Sequence, residues 1–232
     1  MTQTPPASVS IPRSLFVFAP LYGGLVVLAG VLGTKIADLG HWPVLGDMAV
    51  ESGIFAFLLL VVLASTVTEL HGEQVARRLV RYGFIPLILS MILLKLVIEV
   101  VPPAPIWAHQ AEFALILGQG ARMQFAGLIS YGTSQILNVY VFARLAGAGV
   151  GNGVGSGLIV RAWLASMLSQ VVDTAIFITI SFWGVAGADG TALPIGQMMA
   201  SQVIAKLALS TVMVPVLIWL AVRLGRRLDA AG

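Results

Sequence analysis

Two side chains of opposite charge, Asp173 and Lys206, stand inside long apolar runs, residues 162–186 and 195–222. An ionisable group near the centre of a bilayer-length run costs about 2.5–3.5 kcal/mol on insertion scales. Such a group is kept where it pairs, faces a cavity or works. Both residues count to the middle of their runs, so an ion pair between antiparallel neighbours is one expected chemistry. That pair is a structural device, and it is also a place to hold a polar ligand. Ser166, Ser169, Gln170 and Asp173 recur at i, i+3, i+4 and i+7, which is one stripe of a helix. A stripe of this kind cannot face lipid. Serine usually glues helices together, but glutamine and a carboxylate in the same stripe favour a polar cavity. The run 119–143 adds Tyr131, Gln135 and Asn138 to the candidates, among further Gln, Ser and Thr residues. Lys95 and Glu99, four apart in the run 82–101, share a helix face and either satisfy each other or join the site. Tyr131 and Phe177 are placed to stack on a flat ligand.

Holding these groups at depth requires a membrane fold. Of 232 residues 58% are apolar and 10% charged, against about 25% charged in a soluble domain. Mean hydropathy is +0.97. This excludes a disordered chain, a nucleic-acid-binding domain and most soluble enzyme folds. The expected fold class is an all-α polytopic membrane protein with six transmembrane helices. The expected spans are residues 14–34, 52–71, 82–101, 119–143, 162–186 and 195–222. Residues 106–117 are amphiphilic and too short to cross, so they are expected to lie at the interface or re-enter. Residues 146–157 form a Gly-rich connection. The chain divides into a disordered N-terminal tail (1–13), one transmembrane domain (14–222) and a basic cytoplasmic tail (223–232). Nine basic residues (Arg13, Arg77, Arg78, Arg81, Arg144, Arg161, Arg223, Arg226 and Arg227) fall on one side, and two, Lys35 and Arg122, on the other. The asymmetry makes the first side cytoplasmic and places both termini there. The carboxylates Asp38, Asp47, Glu51, Glu112 and Asp189 are counted to the outer side. The first two spans are little polar and read as scaffold, with Ala29 and Gly33 as a small-residue packing pair.

Other chemistries find little support. There is no cysteine, which removes disulfides, thiolate metal sites and thiol nucleophiles. His41, His71 and His109 lie near span ends, with no metal-binding spacing and no histidine deep enough for an intramembrane serine protease. Gly153, Gly155 and Gly157 lack the lysine and strand context of a phosphate loop. The expectation is a transporter and not an enzyme, without cofactor or metal. Its partners are the lipid bilayer and a small molecule, not nucleic acid, and self-association is left open.

Two segments carry a family likeness. Residues 127–145 read GLISYGTSQILNVYVFARL, and residues 161–184 read RAWLASMLSQVVDTAIFITISFWG. They resemble the queuosine-precursor transporters of the vitamin-uptake-transporter type. Lys206 and Pro215 match the family's last helix. Gly72, Ala76, Arg77 and Arg78 match its motif after the second span, and Lys35 matches a basic residue ending the first. The likeness runs from about residue 55 to 215. Two positions depart from the pattern. Ser65 and Asn138 stand where members often carry aspartate, so a carboxylate role does not transfer there. The resemblance implies import of 7-cyano- and 7-aminomethyl-7-deazaguanine, with queuine as a further candidate, across the cell inner membrane. Other expectations are a carrier for another flat vitamin or nucleobase, or the substrate-binding subunit of an energy-coupling complex. The coupling source stays open, since a proton on Asp173 and facilitated entry with trapping inside both fit.

Overall fold

The computed structural model describes residues 11–43, 46–147, 156–187 and 189–230. Among these, six long helices and one hairpin make up the fold. They are α1 (Arg13–Leu32), β1 (Ile36–Trp42), β2 (Gly46–Glu51), α2 (Gly53–His71), α3 (Glu73–Glu99), α4 (Gln110–Gly147), α5 (Ser156–Phe182) and α6 (Ile195–Ala230). Four of them, α1, α2, α3 and the first half of α6, have stretches long and apolar enough to cross a bilayer. In α5 a shorter apolar stretch runs over Met167–Phe182. The chain is a multi-pass membrane protein, and its fold is overwhelmingly helical.

Local chemistry sets the ends. Gly72, at φ 85°, reverses the chain between α2 and α3 in a region that side chains rarely enter. Pro102 and Pro103 follow closely on the end of α3, where a helix cannot continue. Gln119 and Arg122 of α4 reach the last turn of α5. The Gln119 amide donates to the Ser181 carbonyl at 2.6 Å, and Arg122 donates to the Ile180 and Trp183 carbonyls, each at 2.6 Å. These carbonyls have no partner within their own helix. A cation also suits the negative end of the helix dipole.

One expectation changes. Residues 106–117 are not a separate segment, because α4 starts at Gln110 and takes in 110–117. Gly118 and Gly120 weaken a helix by only about 1 kcal/mol each and do not break it. Gly120 faces α1, where a Cβ would make an ordinary contact with the Gly30 carbonyl at 3.4 Å. Residues 223–230, the basic stretch after the last expected span, form the last turns of α6. Asp229 ties them back, accepting from the Ser14 N–H and hydroxyl, both at 2.8 Å. The 36–51 connection is an antiparallel hairpin, with Ile36 opposite Glu51 and Trp42 opposite Gly46. The expected 146–157 connection falls mainly on 148–155, outside the described residues.

Chain neighbours run antiparallel. Ser14, His71 and Asp229 bring the start of α1 and the ends of α2 and α6 together at one end. The hairpin, the start of α6 and the end of α5 gather at the other. There Ile36 and Leu193 pack against Met123, Ile178, Phe182 and Met198. At the first end Phe18, Tyr22, Leu63, Val67, Ala76 and Leu79 close the bundle. On α3, Ile85, Ile88, Leu89, Ile92, Leu93 and Leu96 are exposed, an apolar stripe suited to lipid.

Candidate functional site

Between these two apolar plugs lies a cavity of about 480 Å³, within the ~300–1,000 Å³ usual for small-molecule sites. Lys206 is 11 residues into α6, roughly 16 Å along its axis, about half a hydrocarbon thickness of ~30 Å. Asp173 is nine residues from the end of α5. The cavity's polar wall therefore sits near mid-depth.

The two charges meet. Lys206 Nζ donates to Asp173 Oδ2 at 3.2 Å and to Thr174 Oγ1 at 3.3 Å, and it lies 4.9 Å from the centre of the Phe57 ring. The lysine is buried and the aspartate half-buried, so the carboxylate keeps a face towards the cavity. Gln170 lines the cavity one turn away. Ser169 is buried beside it, and Phe177 lines it on the next turn. Tyr131 faces them from α4, its ring centre 5.4 Å from that of Phe84 on α3. Lys95 is not brought to the site. It is exposed on α3, as is Glu99, and neither lines the cavity. Gln135 and Asn138 lie on α4 and Ser166 on α5, but their side chains fall outside the described residues.

The polar runs 119–143, 162–186 and 195–222 supply only part of the cavity's enclosure. The cavity is walled by all six helices and the end of β2. The first two helices are more than scaffold, because α1 contributes Tyr22 and Gly30, and α2 contributes Phe57 and Ser65. Apolar and small residues seldom signal a ligand site, which hid these walls. Ser65, where the family likeness departs from aspartate, is one of the lining residues.

Gln124 fixes α1 and α3 against α4. It is buried, accepts from the Ser90 hydroxyl at 2.8 Å and donates to the Val27 carbonyl at 3.3 Å. It passes so close to Gly30 that any Cβ there would overlap its Cγ. Gly30→Ala is therefore expected to lower stability by about 1–3 kcal/mol, the usual range for overpacking. A lower thermal midpoint of the detergent-purified protein is the readout. Gly24→Ala is the control, since a Cβ there meets nothing within 4 Å. Equal midpoints would show that Gln124 yields freely.

The group most clearly missed is Glu51. It was counted to the outer side, one residue before the second span, but it is 6% exposed and lines the cavity. Its backbone N–H donates to Gln202 Oε1 at 3.1 Å, and its Oε2 has no hydrogen-bond partner. Burial pushes its carboxyl up to about 7, against the pull of Lys206 and the N–H groups of Gly53 and Ile54. The strand's alternation gave no signal, since Met48 and Val50 share one face and Glu51 belongs to the other; Glu51 is buried where the strand runs into α2.

A second polar cluster lies at the opposite end. The Ser14 hydroxyl donates to Asp229 and stands 2.7 Å from His71 Nε2. The serine lies between the histidine and the aspartate, so the histidine is not oriented by the acid as in a nucleophilic triad. Ser14 has no exposed surface. This cluster joins three helices.

Residues 51–220 match a family model described as "Putative vitamin uptake transporter". No curated protein and no solved structure matches the chain.

Proposed function

The chain belongs to the vitamin uptake transporter family, and from that premise and the cavity's chemistry we propose that it imports queuosine precursors. The solutes are 7-cyano- and 7-aminomethyl-7-deazaguanine, with queuine as a further candidate. The membrane is the cell inner membrane. The observation that carries this reading is the Asp173–Lys206 pair in a cavity with aromatic walls near mid-depth. A guanine-type edge presents a ring N–H beside an amino group, and one carboxylate accepts both. Gln170 can serve the ring carbonyl or nitrogen. Phe57, Phe84, Tyr131 and Phe177 offer faces for the flat bicycle. Six crossings would put both termini in the cytoplasm, and access would alternate around a fixed site.

The test is uptake of labelled 7-cyano-7-deazaguanine by cells that lack both their own transporter and their own synthesis of the precursor. Accumulation that depends on this chain supports the reading. If the precursor is excluded while guanine or another flat vitamin enters, the family assignment survives and the substrate does not.

Topology has its own test. A reporter fused after residue 232, or placed in the 148–155 connection, is expected on the cytoplasmic side. One placed between 187 and 190 is expected outside. A reversed result at any of the three would break the six-crossing arrangement.

A further inference from the structure

We propose that Glu51 is the proton-carrying group of this transporter, coupled to the solute site through Lys206, so that solute enters together with a proton. The inference rests on the transport reading above. Among the described residues that line the cavity, the charged ones are Glu51, Asp173 and Lys206. Two carboxylates thus share one ammonium. In this structure Lys206 is committed to Asp173 and Thr174. Glu51 Oε2 is left buried with no partner. The carboxyl occupies a niche kept open by Gly53. A Cβ there would lie 2.8 Å from Oε2 and 3.0 Å from Oε1.

A buried carboxylate with one oxygen unpaired is costly, and a proton removes the cost. The backbone N–H groups of Gly53 and Ile54 favour its ionised form, but nothing donates to Oε2. From α6 the facing charge is Lys206, and Gln202 beside it is neutral. From α5, across the cavity, it is Asp173. On β1 the titratable groups are Asp38 and His41, both exposed, and Lys35 just before the strand is exposed as well. The neighbouring turns of α1 and α2 carry no charge, and the remaining titratable groups in the cavity are the hydroxyls of Tyr22 and Tyr131. Burial lifts the Glu51 carboxyl into the physiological range, while Lys206 attracts its ionised form.

Coupling follows from the sharing. A solute that hydrogen-bonds Asp173 through its N–H edge and Lys206 through its carbonyl holds the lysine on the α5 side. A proton on Glu51 does the same, because it removes the competing charge. Solute and proton therefore favour one arrangement and bind cooperatively. With both gone, Lys206 is drawn towards ionised Glu51, and the empty carrier returns without a proton. In the transfer an O–H bond forms on Glu51 from outside water and breaks towards inside water.

The experiment is binding of 7-cyano-7-deazaguanine to the purified full-length chain from pH 5.5 to 8.5, by calorimetry in two buffers of different ionisation heat. The parent is expected to take up a proton on binding. Its affinity should fall by up to about tenfold per pH unit above the Glu51 midpoint, the slope of one linked proton. Glu51→Gln, which resembles the protonated acid, should show flat affinity and no proton uptake. In proteoliposomes it should lose accumulation driven by a pH gradient. Binding by the parent without proton uptake, or a proton uptake that survives in Glu51→Gln, overturns the proposal. An infrared titration without solute separates this from failure of the transport reading. A protonated-carboxyl band should titrate in the neutral range, vanish in Glu51→Gln and persist to higher pH in Lys206→Met. If the parent does not bind the precursor but shows this band, the substrate reading fails and the proton site stands. If no such band is found, the proton site fails whatever the solute.

Discussion

Lys206→Met is expected to cost more folded protein than any other single substitution in the cavity. The parent ammonium is buried against Asp173, Thr174 and the Phe57 ring. Methionine fills much of the same volume, so packing changes little and charge changes most. Two carboxylates would then remain in one cavity with no cation among its described lining residues. Breaking a buried pair costs about 3–5 kcal/mol, because the partner's charge is stranded. That is a large share of a typical ~5–15 kcal/mol stability. Asp173→Asn should be milder, since Lys206 keeps a neighbour in Glu51. Adding Asp173→Asn to Lys206→Met should recover part of the yield by removing one stranded charge. The measure is the monodisperse fraction of detergent-extracted protein on size exclusion. If the double variant yields less than either single one, the two residues do not act as partners.

The parts of this molecule that were legible in the sequence are those where a residue's type contradicts its surroundings. Asp173 and Lys206 stand out because apolar runs tolerate few charges, and helical spacing alone placed each near mid-depth. Long apolar stretches likewise announced the helices, and proline marked the end of α3. What stayed hidden was set by contacts between segments. Glu51 lies just outside an apolar run, where a carboxylate is ordinary, and only the inward path of the hairpin buries it. The hairpin itself is short and flanked by long helices, so its period-two pattern is weak beside theirs. Lys95 shows the converse. It lies in an apolar run, as Lys206 does, yet α3 turns it outward. Depth can be counted along a helix, but the direction a face turns depends on neighbours. For the same reason the walls from α1 and α2 went unread, since Tyr22, Gly30 and Phe57 differ in no way from packing residues until the helices are assembled.

Asp173→Asn is expected to weaken binding of a 7-deazaguanine by roughly ten- to a hundredfold. The estimate follows from a lost hydrogen bond to a charged group, worth about 1.5–3 kcal/mol, at about 1.4 kcal/mol per decade. The carboxylate accepts from Lys206 at 3.2 Å and still borders the cavity, so it has lone pairs left for a ligand edge. Asparagine offers one acceptor and one donor. If the acceptor keeps Lys206, the donor faces the ligand's own N–H, and an attraction becomes a repulsion. If the amide turns the other way, its donor faces the Lys206 ammonium instead, so neither orientation restores both contacts. Gln170→Ala should lose less, because a neutral contact is weaker and water can take its place. Phe177→Leu should lose affinity through stacking alone and leave any pH dependence as it was. Each variant must be measured as folded, monodisperse protein, since Asp173 also supports the helix pair. If Asp173→Asn binds as tightly as the parent, the carboxylate serves only the ion pair. Recognition would then belong to Gln170, Tyr131 and the Glu51 wall.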